Sequence, residues 1–319
     1  MQAEAQQKTK NEPDYEKHQP VLEEKEVQPI VRVLLSKTRS IEPVPLEEYV
    51  KGVVAAEMPL DFQPEALEAQ ALAARTYIVR RLTLNDRSGV TGVEADVTDT
   101  QAHQVYRSLA EMKRLRKNDE EGWRKVDEAV KNTEGDIIAY RGQPIEALFF
   151  STSNGYTENS EEVFPNEIPY LRSVASPWDK ERSPRAINRV EMPLSEFYRK
   201  LGVDAIAVSA AGTDKPSLRI MEWTQGRRVK EMVAGSKRIS GEEVREKLGL
   251  RSAAFDWTIE KGMIILTTYG SGHGVGMSQW GAEGMAQTGK TADQIVEYYY
   301  SGARVEKVSK LANSSKNRL

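Results

Sequence analysis

The run PEALEAQALAARTYIVRRL, residues 64–82, constrains this chain more than any other segment. Pro64 and Glu65 suit the first turn of a helix, and Leu67, Ala71, Ala74, Ile78 and Leu82 recur at helical spacing as a continuous apolar stripe. A helix this long must bury its stripe against another layer, so the rest of the chain has to fold around it. With 39% apolar residues among 319, there is enough material to build that core.

The flanking segments fill in the plan. Residues 1–28 are polar, charged and aperiodic, and predict a disordered tail or tether. The fold is expected from about Pro29, with IVRVLLS (30–36) as a strand. LEEYVKGVVAAE (46–57) then predicts a helix with Leu46, Val50, Val53 and Val54 on one face. The polar segment 85–104 reads as a loop, and 105–134 as a charged helical excursion broken near Asn118–Gly122. DIIAYRGQPIEALFFST (136–152) predicts two strands about a Gly-containing turn. Further on, helices are expected at 193–202 and 240–249, strands near 217–234 and 254–268, a Gly-rich turn over 269–286 and a last helix at 291–302. That order predicts an α+β fold, with helices flanking small mixed or antiparallel sheets, and not a βαβ series. One domain over 29–308 is expected, followed by a short tail at 309–319.

Charge excludes one class of partner. Seven acidic and four basic side chains fall in the first 28 residues, leaving 41 of each in the remainder. A balanced chain gives no electrostatic case for nucleic acid. The absence of cysteine excludes disulfides and thiolate metal sites and leaves the compartment open. No window reaches the apolar length of a membrane span, and the N-terminus lacks the pattern of a signal peptide. If the protein is exported, its signal or anchor is expected outside this sequence.

The stretch VVAAEMP (53–59) carries the chemistry. Glu57 closes an apolar helical face in the last turn, where desolvation and the negative end of the helix dipole both favour the protonated carboxyl. Pro59 disfavours helix at Met58, so the chain should turn away and leave the acid beside a cleft. A general acid is one reading of Glu57. A helix-end glutamate paired at the surface with Arg75 or another cation is the other.

Four motifs in order, VKGVVAAEMP, EALEAQALAARTY, STSNGYTENSEEVF (151–164) and GSGHGVGMSQWGAEGMA (270–286), resemble those of the stage II sporulation protein D family, which includes the amidase enhancers. The resemblance spans roughly residues 30–308. It implies a lytic transglycosylase that cleaves the β-1,4 bond between N-acetylmuramic acid and N-acetylglucosamine and leaves a 1,6-anhydro end. The family's catalytic glutamate falls on Glu57. It further implies work outside the mother-cell membrane during engulfment, from a membrane-anchored protein, on strands stripped of stem peptides by a sporulation amidase-endopeptidase partner. A different class of function, a non-catalytic glycan-binding enhancer of an amidase, remains the alternative.

The resemblance also proposes substrate-binding residues. Arg75 in the ARTY motif is expected at the cleft, although an interhelical ion pair fits the sequence as well. Ser151, Thr152, Ser153 and Asn154 could hydrogen-bond a glycan or form an ordinary turn. Tyr170 is expected near the cleft, stacking on a sugar or packing in the core. His273 lies among glycines that allow close backbone approach, as binding residue or as structural element. Ser278 and Gln279 complete the set. Ser278 lacks the second glycine of a serine-hydrolase elbow. Many relatives hold zinc with Cys and His near 150–154, where this chain has Phe150, Ser151, Ser153 and Asn154. No metal or other cofactor is therefore expected.

Overall fold

The computed structural model describes residues 28–90, 92–203 and 218–308. The expected tails at 1–28 and 309–319 lie outside the described residues except for Gln28. The class is α+β: helices pack on several small sheets of two or three strands.

The described fold opens with a hairpin, β1 (Ile30–Leu35) and β2 (Ser40–Pro45), paired antiparallel, and β3 (Val97–Thr98) later adds parallel to β1. It leads into α1 (Leu46–Glu57) and then α2 (Pro64–Leu84). α2 begins at the expected Pro64 and ends on Asn85 in the left-handed conformation, φ 49°. Its burial exceeds the stripe read from sequence, since Ala66, Ala69, Gln70, Leu72 and Ala73 are buried along with Leu67, Ala71 and Ala74. The many alanines let neighbours approach closely along the middle of the helix, while its ends at Pro64 and Leu84 stay exposed.

Those neighbours are α1, α4 (Glu120–Asn132), β4 (Asp136–Tyr140), α8 (Gln279–Gln287) and α9 (Ala292–Tyr299). The charged excursion is α3 (Leu109–Asn118) followed by α4. The break falls at Asp119, whose side chain accepts from the Gly122 N–H to cap α4. β4 pairs antiparallel with both β5 (Gln143–Pro144) and β14 (Arg304–Lys307).

A second, smaller core occupies the chain between about Val190 and Leu266 and includes Phe197, Met232, Ile239, Val244, Phe255 and Ile264. It lies between β7 (Ile187–Pro193), α6 (Leu194–Leu201), α7 (Gly241–Leu248) and the sheets formed by β8 (Leu218–Trp223), β9 (Val229–Ala234), β10 (Lys237–Ser240), β11 (Phe255–Glu260) and β12 (Met263–Tyr269). The chain then returns to the first core. There β13 (Met277–Ser278) pairs parallel with β6 (Phe149–Phe150), so two motifs more than a hundred residues apart lie side by side.

The expected Gly-rich turn over 269–286 is only half a turn, because α8 starts at Gln279. Gly281 and Gly284 are helical. A Cβ on Gly281 would stand 2.0 Å from the Tyr299 hydroxyl, and one on Gly284 2.2 Å from Trp178 Cβ. These glycines serve close packing and not chain reversal.

Candidate active site

A cavity of about 1020 Å³ lies where the C-terminus of α1, one face of α2, the β6 strand and the His273 loop meet α7 of the second core. Glu57, the last residue of α1, lines it. Met58 leaves the helix in extended conformation, φ −110° and ψ 142°, so the chain turns away as Pro59 requires. Val50, Val53 and Val54 are fully buried beside the acid.

Glu57 Oε1 accepts a hydrogen bond of 2.9 Å from the Val105 N–H, donated by the loop that crosses above α1. Desolvation pushes the Glu57 pKa above the ordinary carboxyl value, while the Val105 N–H and the Gln279 amide pull it back. Desolvation prevails. The result is a carboxyl held in place by donors yet biased towards its protonated form.

Ser151, His273 and Gln279 line the same cavity. Gln279 is the first residue of α8, and its Nε2 also reaches Gln70 Oε1 at 3.4 Å. His273 Nδ1 accepts from the Val275 N–H at 3.1 Å, and its ring stands between Phe150 and Phe164, with centroids 5.8 and 5.7 Å away. Burial, aided by Arg245 and Arg228, lowers the His273 pKa to about 4. The imidazole is therefore neutral in ordinary buffers. The loop can pass so close because Gly274 and Gly276 have φ of 89° and 80°, and a Cβ on Gly276 would meet Leu148 O at 2.0 Å.

Other expected residues stand outside the cavity lining. Thr152, Ser153, Asn154 and Ser278 are not among the lining side chains and are bonded to other protein groups. Asp179 Oδ1 accepts from the Ser153 N–H at 2.8 Å and from the Ser278 hydroxyl, while its Oδ2 accepts from the Ser176 hydroxyl at 2.7 Å. The Thr152 hydroxyl pairs with that of Ser183 at 2.7 Å, and Asn154 Nδ2 donates to Gly226 O at 2.9 Å. With its hydroxyl, Ser278 also caps α8 through the Gly281 N–H. Buried hydroxyls are satisfied locally, and those of Thr152, Ser153 and Ser278 all have protein partners here, while Asn154 is half-buried.

Tyr170 stands behind the wall, where its hydroxyl accepts from the Glu146 N–H at 2.9 Å and its ring packs on Tyr140. Arg75 is fully buried elsewhere. It forms a two-pronged pair with Glu47, with Nη2–Oε2 at 2.7 Å and Nε–Oε1 at 2.9 Å, and also donates to Thr133 Oγ1 and to Val130 and Asp136 carbonyls. The reason is helical phase. Tyr77, Arg80, Arg81 and Leu84 are the α2 residues that face the cavity, and at about 100° per residue Arg75 lies roughly opposite them.

Sequence reasoning missed Arg80, Arg185, Arg245, Arg251 and Glu146 in the cavity wall. The i, i+3, i+4, i+7 spacing of Tyr77, Arg80, Arg81 and Leu84 was a signal within reach. The arginines beyond 180 offered none, because only the docking of the second core brings them there. Among the described residues no three His, Asp or Glu side chains gather as a metal site would require.

A sequence model described as stage II sporulation protein, SpoIID, matches residues 35–140. Stage II sporulation protein D of Bacillus subtilis (strain 168) is 48% identical over 288 residues, covering 89% of this chain and 80% of that protein. This chain belongs to the SpoIID family. The Bacillus amyloliquefaciens stage II sporulation protein D is 46% identical over 288 residues, with 90% and 81% coverage. The amidase enhancer of Bacillus subtilis (strain 168) is 28% identical over 301 residues, which cover 79% of this chain and 39% of that protein.

Proposed function

We propose that the protein is a peptidoglycan lytic transglycosylase that cleaves the N-acetylmuramic acid–β-1,4–N-acetylglucosamine bond and leaves 1,6-anhydro ends. The observation that carries this reading is Glu57, a carboxyl of raised pKa in the wall of a large cavity. Protonated Glu57 gives its proton to the glycosidic oxygen as the anomeric C–O bond breaks. The C6 hydroxyl oxygen of the same muramic acid then bonds to the anomeric carbon, and the Glu57 carboxylate takes up the hydroxyl proton. The acid is regenerated and no water is consumed, so one carboxyl serves where most glycosidases use two.

Val105 and Gln279 hold the carboxyl in one orientation through both half-steps. His273, neutral and tied to the backbone, contributes a wall and not a proton at neutral pH. Family membership supports a role in septal wall remodelling and engulfment during sporulation, outside the mother-cell membrane and beside an amidase-endopeptidase partner. None of the described helices is long and apolar enough to cross a membrane.

Incubation with peptide-free glycan strands and mass analysis tests the proposal. Products lacking the elements of water are expected, and Glu57→Gln should reduce their formation by about 10²–10⁴-fold. Water-containing products would indicate a hydrolase. No product from a chain that binds glycan would favour the non-catalytic enhancer.

A further inference from the structure

The two helices of the charged excursion carry their charge differently. On α4, Arg124 meets Glu128 at 2.9 Å and Lys131 meets Asp127 at 2.6 Å, so these cations are matched within their own helix. α3 holds Lys113, Arg114, Arg116 and Lys117 against a single acid, Glu111. All four cations are exposed, and none makes an ion pair among the described residues. Helical phase separates the signs. Met112 and Leu115 pack on the first core, and Glu111 lies on their side, where its carboxylate accepts from the Ser108 N–H and hydroxyl at 2.9 Å. At about 100° per residue, Lys113 and Lys117 then point away from the fold, with Leu109 and Arg116 on one flank and Ala110 and Arg114 on the other. Leu109 is 41% exposed. The hairpin β1–β2 adds a fifth cation. The first turn of α3 rests on it, since the Leu109 N–H and the Tyr106 hydroxyl donate to Glu42 Oε2 at 3.1 and 2.8 Å. The bonds from Ser108, and after them the charges of Lys37 and Arg114, hold the Glu111 carboxyl below its ordinary range, which puts Lys37 beside that turn.

A merely solvated face mixes both signs. Composition does not force the segregation either, because the formal charge of the whole chain is only −3. Long cationic side chains spread over a convex helix do not converge on one anion. Around an exposed leucine they match a plane of anionic groups with an apolar layer beneath it. We propose that the outward face of α3, together with Lys37, docks on the surface of a bilayer containing anionic phospholipid. Lipid phosphates take the five cations, and Leu109 enters the headgroup layer. This contact is peripheral and needs no spanning segment. It goes beyond the glycan reading above, since neither Glu57 nor the cavity takes part.

Co-sedimentation of the full chain with vesicles tests this. The chain should bind vesicles of mixed phosphatidylglycerol and phosphatidylcholine, leave pure phosphatidylcholine vesicles in solution, and lose the preference as salt rises. Each cation removed should weaken binding about five-fold, so combining Lys113→Gln, Arg116→Gln and Lys117→Gln should lower it on the order of 100-fold. Glutamine forms helix nearly as well, and the melting temperature should hold. If that triple variant does not fold, Lys37→Gln with Lys113→Gln, both at exposed positions away from the helix end, should lower binding on the order of 25-fold. Arg124→Gln on α4 removes a charge already paired with Glu128 and should change binding by less than about two-fold. Leu109→Ser should weaken it several-fold without altering net charge. Equal binding to the two kinds of vesicle overturns the proposal, as does a triple variant that binds no worse than Arg124→Gln. Displacement by inorganic polyphosphate at equal phosphate, with Leu109→Ser without effect, would assign the face to a soluble anionic polymer and equally overturn it.

Discussion

At Glu57 the same physics sets activity and stability in opposite directions. Burial beside Val53 and Val54 raises the carboxyl pKa in the folded chain. A group of raised folded pKa contributes stability that is fully present below its unfolded value, about 4.3, and is lost as pH rises through the folded value. Glu57→Gln should accordingly melt above the unmodified protein at pH 8, with the gap closing towards pH 4. Thermal denaturation across pH measures this directly, and a constant gap would mean the carboxyl is not desolvated. Turnover should show an alkaline limb in kcat from titration of this one group. His273, at about 4, should add no inflection between pH 5 and 9. An imidazole signal titrating near pH 6.5 in NMR would contradict its burial.

At the scale of elements, the Arg75–Glu47 pair ties the first turn of α1 to the α4–β4 junction. Removing one partner strands the other charge in the interior, so Arg75→Met should cost about 3–5 kcal/mol. Adding Glu47→Gln should recover part of that, and glycan turnover per folded molecule should change little, because the guanidinium faces away from the cavity. Urea denaturation of the single and double variants checks the first two statements. A loss of kcat without loss of stability would return Arg75 to the site. Gly284 in α8 weighs two magnitudes. Alanine is the better helix former by about 1 kcal/mol. Its Cβ would nevertheless sit 2.2 Å from Trp178 Cβ, and overpacking of this kind costs about 1–3 kcal/mol or more. Gly284→Ala should therefore lower stability in spite of propensity, as chemical denaturation would reveal.

Across the whole molecule, the cavity exists because two cores meet. Glu158 and Arg228, both buried, pair at 3.3 Å near the junction, and Gly274 passes against the Arg228 guanidinium. The β13–β6 pair brings the His273 loop to Ser151, and α7 with Arg251 closes the far side. At 150–154 the side chains are apolar or already hydrogen-bonded to protein partners. Chelation with EDTA should thus leave the melting temperature and glycan turnover unchanged, and metal analysis of the purified protein should find less than a stoichiometric ion.

Local pattern was enough for α1, α2, α4 and the hairpin at β4–β5, because helical and strand periods are set by neighbours a few residues apart. It also placed Glu57 at the end of an apolar face before proline, while leaving a general acid and a surface-paired glutamate both open until the resemblance was considered. It failed for α8, where glycine means a turn to local statistics but close approach to Trp178 and Tyr299 in space. It gave no hint either of the partners of Ser153 and Ser278, which meet at Asp179, of Thr152, which pairs with Ser183, or of Asn154, which donates to Gly226 O, because all of these are distant in sequence. The arginines that complete the cavity come from α2, from the segment before β7 and from the end of α7, and no period links them. The sequence by itself determined that Glu57 closes an apolar helical face just before proline. Which cations face that acid, and which polar groups are consumed inside the protein, only the tertiary structure decided, because burial and hydrogen-bond satisfaction depend on contacts between segments that are far apart along the chain.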